Sequence, residues 1–105
     1  MIRVQFQRRG GRFSAVEIAG HSGYGDAGTD IVCAAVSSAF MLIANGITEV
    51  LKAPAQVQVG EDGFARLSLT GGAEAAQQML QALCLHLEAL AETYPSNIHV
   101  TISEV

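Results

Sequence analysis

Two turn sequences constrain the fold of this chain most strongly, because each one separates two stretches typical of β-strands. Gly10-Gly11 follows residues 3–7, which alternate apolar and polar side chains, and precedes an apolar-rich stretch at 13–19. Gly60-Glu61-Asp62-Gly63 joins two further strand-like stretches, 56–59 and 64–69. The sequence therefore predicts two β-hairpins.

Two longer stretches favour α-helices. Residues 30–51 end at Lys52-Ala53-Pro54, where the proline disfavours helix in the residue before it. Residues 73–93 form the second predicted helix. Its apolar side chains recur at helical spacing and predict a face packed on the core: Ala76, Met79, Leu80, Leu83, Leu87, Leu90, Ala91 and Tyr94. Cys84 and His86 border this face, and we predict a packed thiol and an imidazole at the rim.

A final strand is predicted at 97–103, with Ile98, Val100 and Ile102 on one face and His99 facing solvent. The element order is then β-β-α-β-β-α-β. We expect a single α+β domain over residues 1–105, with two helices packed on a mixed or antiparallel sheet. A chain of 105 residues, half of them apolar, is large enough to bury a core without staples.

Composition excludes several classes of function. The net charge of −4 and the scattered Lys and Arg residues argue against a nucleic-acid surface. We find no signal-peptide pattern and expect no apolar run long enough to span a membrane, so a cytoplasmic location is expected. Two cysteines in such a chain are expected to be free thiols rather than a disulfide.

The chemistry of the chain is concentrated in a glycine-rich loop that sets His21 and Cys33 twelve positions apart. A thiol reacts as its thiolate, which an adjacent imidazolium and the positive end of a helix both stabilise. The predicted helix begins near Thr29, which places Cys33 in or just past its first turn. We therefore predict a thiol nucleophile with a histidine base, and backbone amides between Gly28 and Ile31 as oxyanion donors.

Cys33 lies at the edge of the polar side of the first helix, beside Asp30 and Ser37. Asn45 and Thr48 share that side. A carboxylate close to Cys33 would disfavour its thiolate, so we predict that Asp30 orients His21 or caps local backbone. The opposite, apolar arc comprises Val32, Ala35, Val36, Ala39, Ile43, Ile47 and Val50. The polar side also carries Ala34, Met41 and Ala44, so we expect the loop or a second subunit to cover it.

Three other motifs in this segment are incomplete. Residues 23–28 match the dinucleotide fingerprint G-x-G-x-x-G, but the preceding strand belongs to a hairpin, and Asp26 and Asp30 would oppose a pyrophosphate. Residues 20–24 approach the serine-hydrolase elbow G-x-S-x-G, with Tyr24 in place of the second glycine. His21 and Cys33 are only two possible zinc ligands, which is fewer than a structural zinc site requires. We therefore expect no metal and no cofactor.

Gly20-His21, Tyr24 and the block Asp30-Ile31-Val32-Cys33-Ala34-Ala35-Val36-Ser37 resemble the signature of the ribosomal-processing cysteine protease family called Prp. The similarity covers the whole chain. It implies a homodimeric endopeptidase that removes the N-terminal extension of large-subunit ribosomal protein L-twenty-seven, cutting after an aromatic residue and before a small one. By position, Cys33 is the nucleophile, His21 its base, and Asp30 and Ser37 support the site.

The remaining loop positions are predicted to face the substrate: Gly20, Ser22, Gly23, Tyr24, Gly25 and Gly28. Ser22 and the stretch from Gly25 to Ala27 lie where the family varies, which leaves substrate contacts open. A second hypothesis is a factor that holds a ribosomal-protein tail in the same groove without cutting it. The presence of both Cys33 and His21 favours the enzyme.

Overall fold

The computed structural model describes residues 1–26 and 28–105, and Ala27 lies outside the described residues. It contains five strands and two α-helices in the predicted order. Their bounds are β1 Ile2–Arg9, β2 Arg12–Ala19, α1 Ile31–Asn45, β3 Ala55–Val59, β4 Ala65–Leu69, α2 Glu74–Thr93 and β5 Ile98–Glu104. Both predicted hairpins are confirmed, and each predicted helix begins within a residue or two of its observed start.

The five strands form one sheet in the order β3-β4-β2-β1-β5. The pairs β1–β2, β2–β4 and β3–β4 are antiparallel, whereas β1 and β5 run parallel, with Val4 opposite Val100. The sheet is therefore mixed. Because β5 runs parallel to β1 and beside it, the turn before β5 lies at the same end of the sheet as the start of β1. There the main-chain amide of Ile2 donates to the carbonyl of Asn97 at 2.8 Å.

Both helices share one apolar core with the sheet. Alternate strand residues such as Val4, Phe6 and Val16 are buried, since successive side chains of a strand point to opposite faces. The core continues through the buried helical residues Val32, Val36, Phe40, Ala44, Ala76, Leu80, Leu83, Cys84 and Leu87. Cys84 therefore belongs to the core as a packed thiol, and both cysteines are free. His86 and His99 are exposed, as predicted.

The first helix differs from its prediction in its last turn. After Asn45 the chain forms a π-helical turn, Gly46–Val50, in which the amide of Leu51 bonds to the carbonyl of Gly46 at 2.8 Å. This wider turn rotates the following positions away from the core. Val50, which we predicted on the apolar arc, is 78% exposed. Phe40, which the arc left out, is buried instead.

The segment Ile31–Val50 is 20 residues long and is apolar enough, by length and composition, to cross a membrane. The expectation that no such run exists is therefore wrong. In this fold the segment has one face packed against the sheet and α2, through residues such as Val36, Phe40 and Ile47. A helix that forms the core of a globular domain meets the same criterion of length and apolarity.

Candidate active site

Cys33 is held in the first turn of α1 by a side-chain cap. Asp30 has an extended backbone and its Oδ1 accepts hydrogen bonds from the amides of Val32 and Cys33, each at 3.0 Å. This is the N-cap arrangement, which satisfies amides that have no partner within the helix. The thiol consequently lies at the positive end of the helix, where the peptide dipoles stabilise an anion.

The second oxygen of Asp30 organises the loop. Its Oδ2 accepts a hydrogen bond from the Ser22 hydroxyl and another from the amide of Gly25 at 3.1 Å. The Ser22 bond, followed by the amide of Cys33, holds the pKa of the Asp30 carboxyl well below its ordinary value, against the opposing effect of burial. Asp30 is therefore ionised, and four donors offset its charge beside the thiol. The structure shows the capping role, one of the two that we predicted.

Most of the residues predicted for the site line one open cavity of about 410 Å³. Its lining residues are His21, Gly25, Gly28, Asp30, Cys33, Ala34 and Ser37. Cys33 is half-buried in this wall, whereas His21 and Ser37 are exposed. The imidazole and the thiol thus face the same space, and that space opens to solvent where a peptide can enter.

The thiol itself receives a hydrogen bond from the loop. The amide of Ser22 donates to the Cys33 Sγ over 3.4 Å. An amide donor stabilises a thiolate more than a thiol, so this contact and the helix end act in the same direction. His21, the residue immediately before that amide, lines the cavity with its side chain in solvent.

Ser22 does not lie where we predicted it. It is 2% exposed, and its hydroxyl oxygen also accepts a hydrogen bond from the amide of Tyr24 at 3.1 Å. Its position is structural rather than substrate-facing, because every polar group of the residue is used inside the protein. Tyr24 is 52% exposed, and its ring meets that of Tyr94 edge to face, with centroids 5.5 Å apart.

Gly20 is half-buried and lies against the main chain of Met1 rather than being presented to a substrate. Its φ is 90°, and a Cβ at this position would lie 2.5 Å from the carbonyl oxygen of Met1. Only glycine fits such a close approach of two backbones. Gly23, in contrast, is exposed with φ 73° and open space where a Cβ would be.

Two residues at this site were not predicted. The side-chain amide of Asn97 donates to the carbonyl of Ser22 at 2.9 Å, and Tyr94 supports Tyr24. Asn97 is 75 positions from its partner. Nothing in the local sequence signals such a contact, because it depends on β5 lying parallel to β1.

The predicted oxyanion donors need one correction. The amide of Thr29 bonds to the carbonyl of Asp26 at 3.0 Å, so it is not free to stabilise an oxyanion. Asp30 also occupies the amides of Val32 and Cys33. Gly28 lines the cavity.

Among the described residues, no three of the His, Cys, Asp and Glu side chains are grouped to hold a metal ion.

A thiol at a helix N-terminus, a histidine across an open cavity and a buried carboxylate cap define a cysteine-hydrolase type of site on a small α+β domain. The family model described as cysteine protease Prp matches residues 1–99. The chain therefore belongs to the Prp family of cysteine proteases.

Solved structures agree with this assignment. The crystal structure of SMU.848 from Streptococcus mutans is 33% identical with a TM-score of 0.87, over 100% of this chain and 96% of that one. An essential ribosomal processing protease Prp from S. aureus, in complex with a covalently linked product peptide, is 25% identical with a TM-score of 0.92, over 98% of this chain and 100% of that one. No curated protein sequence matched the chain.

Proposed function

We propose that this chain is a ribosomal-processing endopeptidase in which Cys33 is the nucleophile and His21 its general base. The observation that carries the proposal is the shared cavity, in which the thiol sits at the capped end of α1 and faces the same space as the imidazole. Acyl transfer by a cysteine needs a thiol as nucleophile and a nearby general base, and the imidazole can serve as that base.

The reaction proceeds in two stages. His21 removes the Cys33 proton, and the thiolate attacks the scissile carbonyl carbon to form a tetrahedral intermediate. The carbon–nitrogen bond then breaks as the imidazolium protonates the leaving amine, which leaves a thioester on Cys33. Water, deprotonated by His21, hydrolyses this thioester and restores the thiol.

The first proton transfer needs the His21 imidazole within hydrogen-bond reach of the Cys33 thiol. The hydrogen bond given to the Cys33 sulfur comes from the Ser22 amide, while the adjacent His21 side chain is in solvent. The His21 side chain is exposed where it lines the cavity, so it can turn toward the thiol without displacing packed groups. We infer that a bound peptide draws the imidazole toward the thiol and excludes water from both.

The proposed substrate is the precursor of ribosomal protein L-twenty-seven, cut between an aromatic and a small residue to remove its N-terminal extension. The sequence resemblance to the family supports this choice, and the similarity to an S. aureus ribosomal processing protease supports a ribosomal substrate. The net charge of −4 suits a basic ribosomal protein. The proposed location is the cytoplasm, where ribosomes are assembled.

The proposed enzyme is a homodimer. The outward side of α1 exposes Ile31, Met41 and Leu42, which a solitary domain leaves in water. Beside them, a cavity of about 440 Å³ lies between α1 and α2, lined by Ala35, Ser38, Ala39, Leu42, Ile43, Ala82, Leu83 and His86. A second copy would cover this apolar surface.

The test is cleavage of a synthetic peptide that spans the extension junction. We expect Cys33→Ala to abolish cleavage and His21→Ala to reduce it by about 10²–10⁴-fold, because the base contributes a factor of that order. Cys84→Ala is the matched control, since it removes the other thiol from the core and should leave cleavage in place. Turnover by Cys33→Ala would overturn the nucleophile assignment.

The non-catalytic alternative has a distinct outcome in the same experiment. A protein that only holds a ribosomal-protein tail would bind the peptide and leave it intact. Mass spectrometry of the wild-type incubation separates the two, since the protease releases two fragments and the binding factor releases none.

A further inference from the structure

Ser22, which follows His21 and contacts Cys33, is hydrogen-bonded through its amide, its hydroxyl and its carbonyl. Ser22 gives its amide hydrogen to the Cys33 sulfur and its hydroxyl hydrogen to Asp30, and its carbonyl receives the Asn97 side-chain amide. Three separate elements therefore meet at one buried serine: the start of α1, the loop and the chain just before β5.

The Asn97 side of this arrangement is rigid without help from its side chain. The amide of Asn97 donates to the carbonyl of Tyr94 at 2.9 Å, and its own carbonyl accepts from the amide of Ile2 at 2.8 Å. The main chain is thus fixed between the end of α2 and the first strand. Its side chain extends from that fixed point to the loop.

We propose that Asn97 is a positioning residue for the reaction, which holds the Ser22 main chain so that its amide points at the Cys33 sulfur and His21 enters the cavity. This inference rests on the proposed function, because it assigns a role in the same site. It reaches beyond the two reacting side chains to the turn between α2 and β5.

The physical argument concerns the two peptide units that flank Ser22. The unit before it carries the amide that bonds to Cys33 and joins directly to His21, and the unit after it carries the carbonyl held by Asn97. If the carbonyl is released, Ser22 keeps its bonds to Cys33 and Asp30, but the direction of its amide is less well fixed. Misplacement of a reacting group by about 1 Å is enough to cost a large factor in rate.

A second contact supports the same turn as the anchor of the loop. Tyr24, two residues after Ser22, packs edge to face on Tyr94, with an interplanar angle of 82°. Tyr94 and Asn97 bracket the turn between α2 and β5. The loop therefore rests on this turn through one polar and one aromatic contact.

The experiment compares Asn97→Ala and Asn97→Asp with the wild type. Asn97→Asp keeps the size of the side chain but directs an oxygen at the Ser22 carbonyl oxygen. Asn45→Ala, at an exposed asparagine of α1 that makes no side-chain capping bond, is the matched control. Two quantities are measured: peptide cleavage, and the iodoacetamide rate of Cys33 followed by mass spectrometry of its peptide.

We expect kcat to fall about tenfold in Asn97→Ala and further in Asn97→Asp, with KM within about twofold of the wild type, since a hydrogen bond is typically worth that order of effect. The alkylation rate of Cys33 should fall in the same order. Asn45→Ala should match the wild type in both.

Wild-type rates of cleavage and alkylation in both Asn97 variants would overturn the proposal. So would a lowered melting temperature with unchanged alkylation, or loss of the fold in both variants, because either result makes Asn97 structural only. If the wild type fails to cut the peptide, the proposed function fails, while the alkylation rates still decide the role of Asn97.

Discussion

The Cys33 sulfur and the Ser22 amide lie 3.4 Å apart in a hydrogen bond, which links the candidate nucleophile to the residue next to its proposed base. The contact spans 11 positions of sequence and closes the glycine-rich loop onto the start of α1. It places the thiol between two sources of partial positive charge, the helix end and this amide. The sulfur is thus fixed in position by both the helix and the loop before any substrate is bound.

The two thiols should react with iodoacetamide at very different rates. Burial, reinforced by the charge of Glu88, raises the pKa of Cys84 to about 11. At pH 8 such a thiol is ionised to about one part in a thousand. Cys33 should therefore be labelled first, with loss of cleavage, and Cys84 only slowly until the protein unfolds or the pH approaches 11.

His21→Ala provides the comparison for this labelling. Removal of the imidazole should slow the alkylation of Cys33 at neutral pH and leave Cys84 unchanged. Mass spectrometry that finds Cys84 labelled first in the folded wild type, or identical Cys33 rates with and without His21, would contradict the proposed pairing.

Asp30 should make a pH-dependent contribution to stability. Its folded-state pKa lies well below the ordinary value of 3.8, so its ionised form stabilises the fold at every pH above that value. This stabilisation should decline as the pH falls below about 3.8 and the unfolded chain takes up a proton first. At pH 7 we expect Asp30→Ala to lower the melting temperature by several degrees, since it removes a helix cap.

The measurement is the difference in melting temperature between the wild type and Asp30→Ala from pH 7 to pH 2.5. It should stay constant between pH 7 and 5 and shrink below about 3.8. Asp26→Ala, at an exposed carboxylate of the same loop, should show a much smaller difference throughout. A difference that grows on acidification would refute this account of Asp30.

The dimer prediction is tested on the exposed side of α1. We expect the wild type to sediment as a dimer at micromolar concentration and Leu42→Glu to shift it to monomer. Val59→Glu is a matched control, since Val59 on β3 is 69% exposed and Leu42 is 71% exposed. A monomeric wild type, or equal effects of the two substitutions, would count against this interface.

Most of the fold could be predicted from local features of the sequence. Turn residues predicted both hairpins, and the helical spacing predicted the start of α1 and the place of Cys33 near its first turn. These features depend on neighbours within a few positions. They can therefore be read without knowledge of the tertiary structure.

Three features could not be predicted in that way. The parallel pairing of β1 with β5 depends on the crossover through α2, and it alone brings Asn97 to Ser22. The π-helical turn after Asn45 moved Val50 into solvent, because regular helical spacing does not apply across it. Ser22, which we predicted to face the substrate with the rest of the glycine-rich loop, is instead buried, where its hydroxyl bonds to Asp30.

The final prediction separates two glycines of the same loop. Both have positive φ, 90° at Gly20 and 73° at Gly23, so alanine at either position should cost about 1–2 kcal/mol of unfolding free energy for the left-handed backbone alone. At Gly20 the new methyl group would also lie 2.5 Å from the carbonyl oxygen of Met1, and backbone must shift to admit it. At Gly23 the methyl group would meet no atom within 4 Å.

Urea unfolding of Gly20→Ala and Gly23→Ala measures the difference directly. Gly20→Ala should be the more destabilised of the two and should lose most cleavage, because a shift at Gly20 displaces the adjacent His21 from the cavity. Gly23→Ala should keep a well-folded core and a measurable rate. Equal stability and equal cleavage in the two variants would show that the approach of Gly20 to Met1 does not position the histidine.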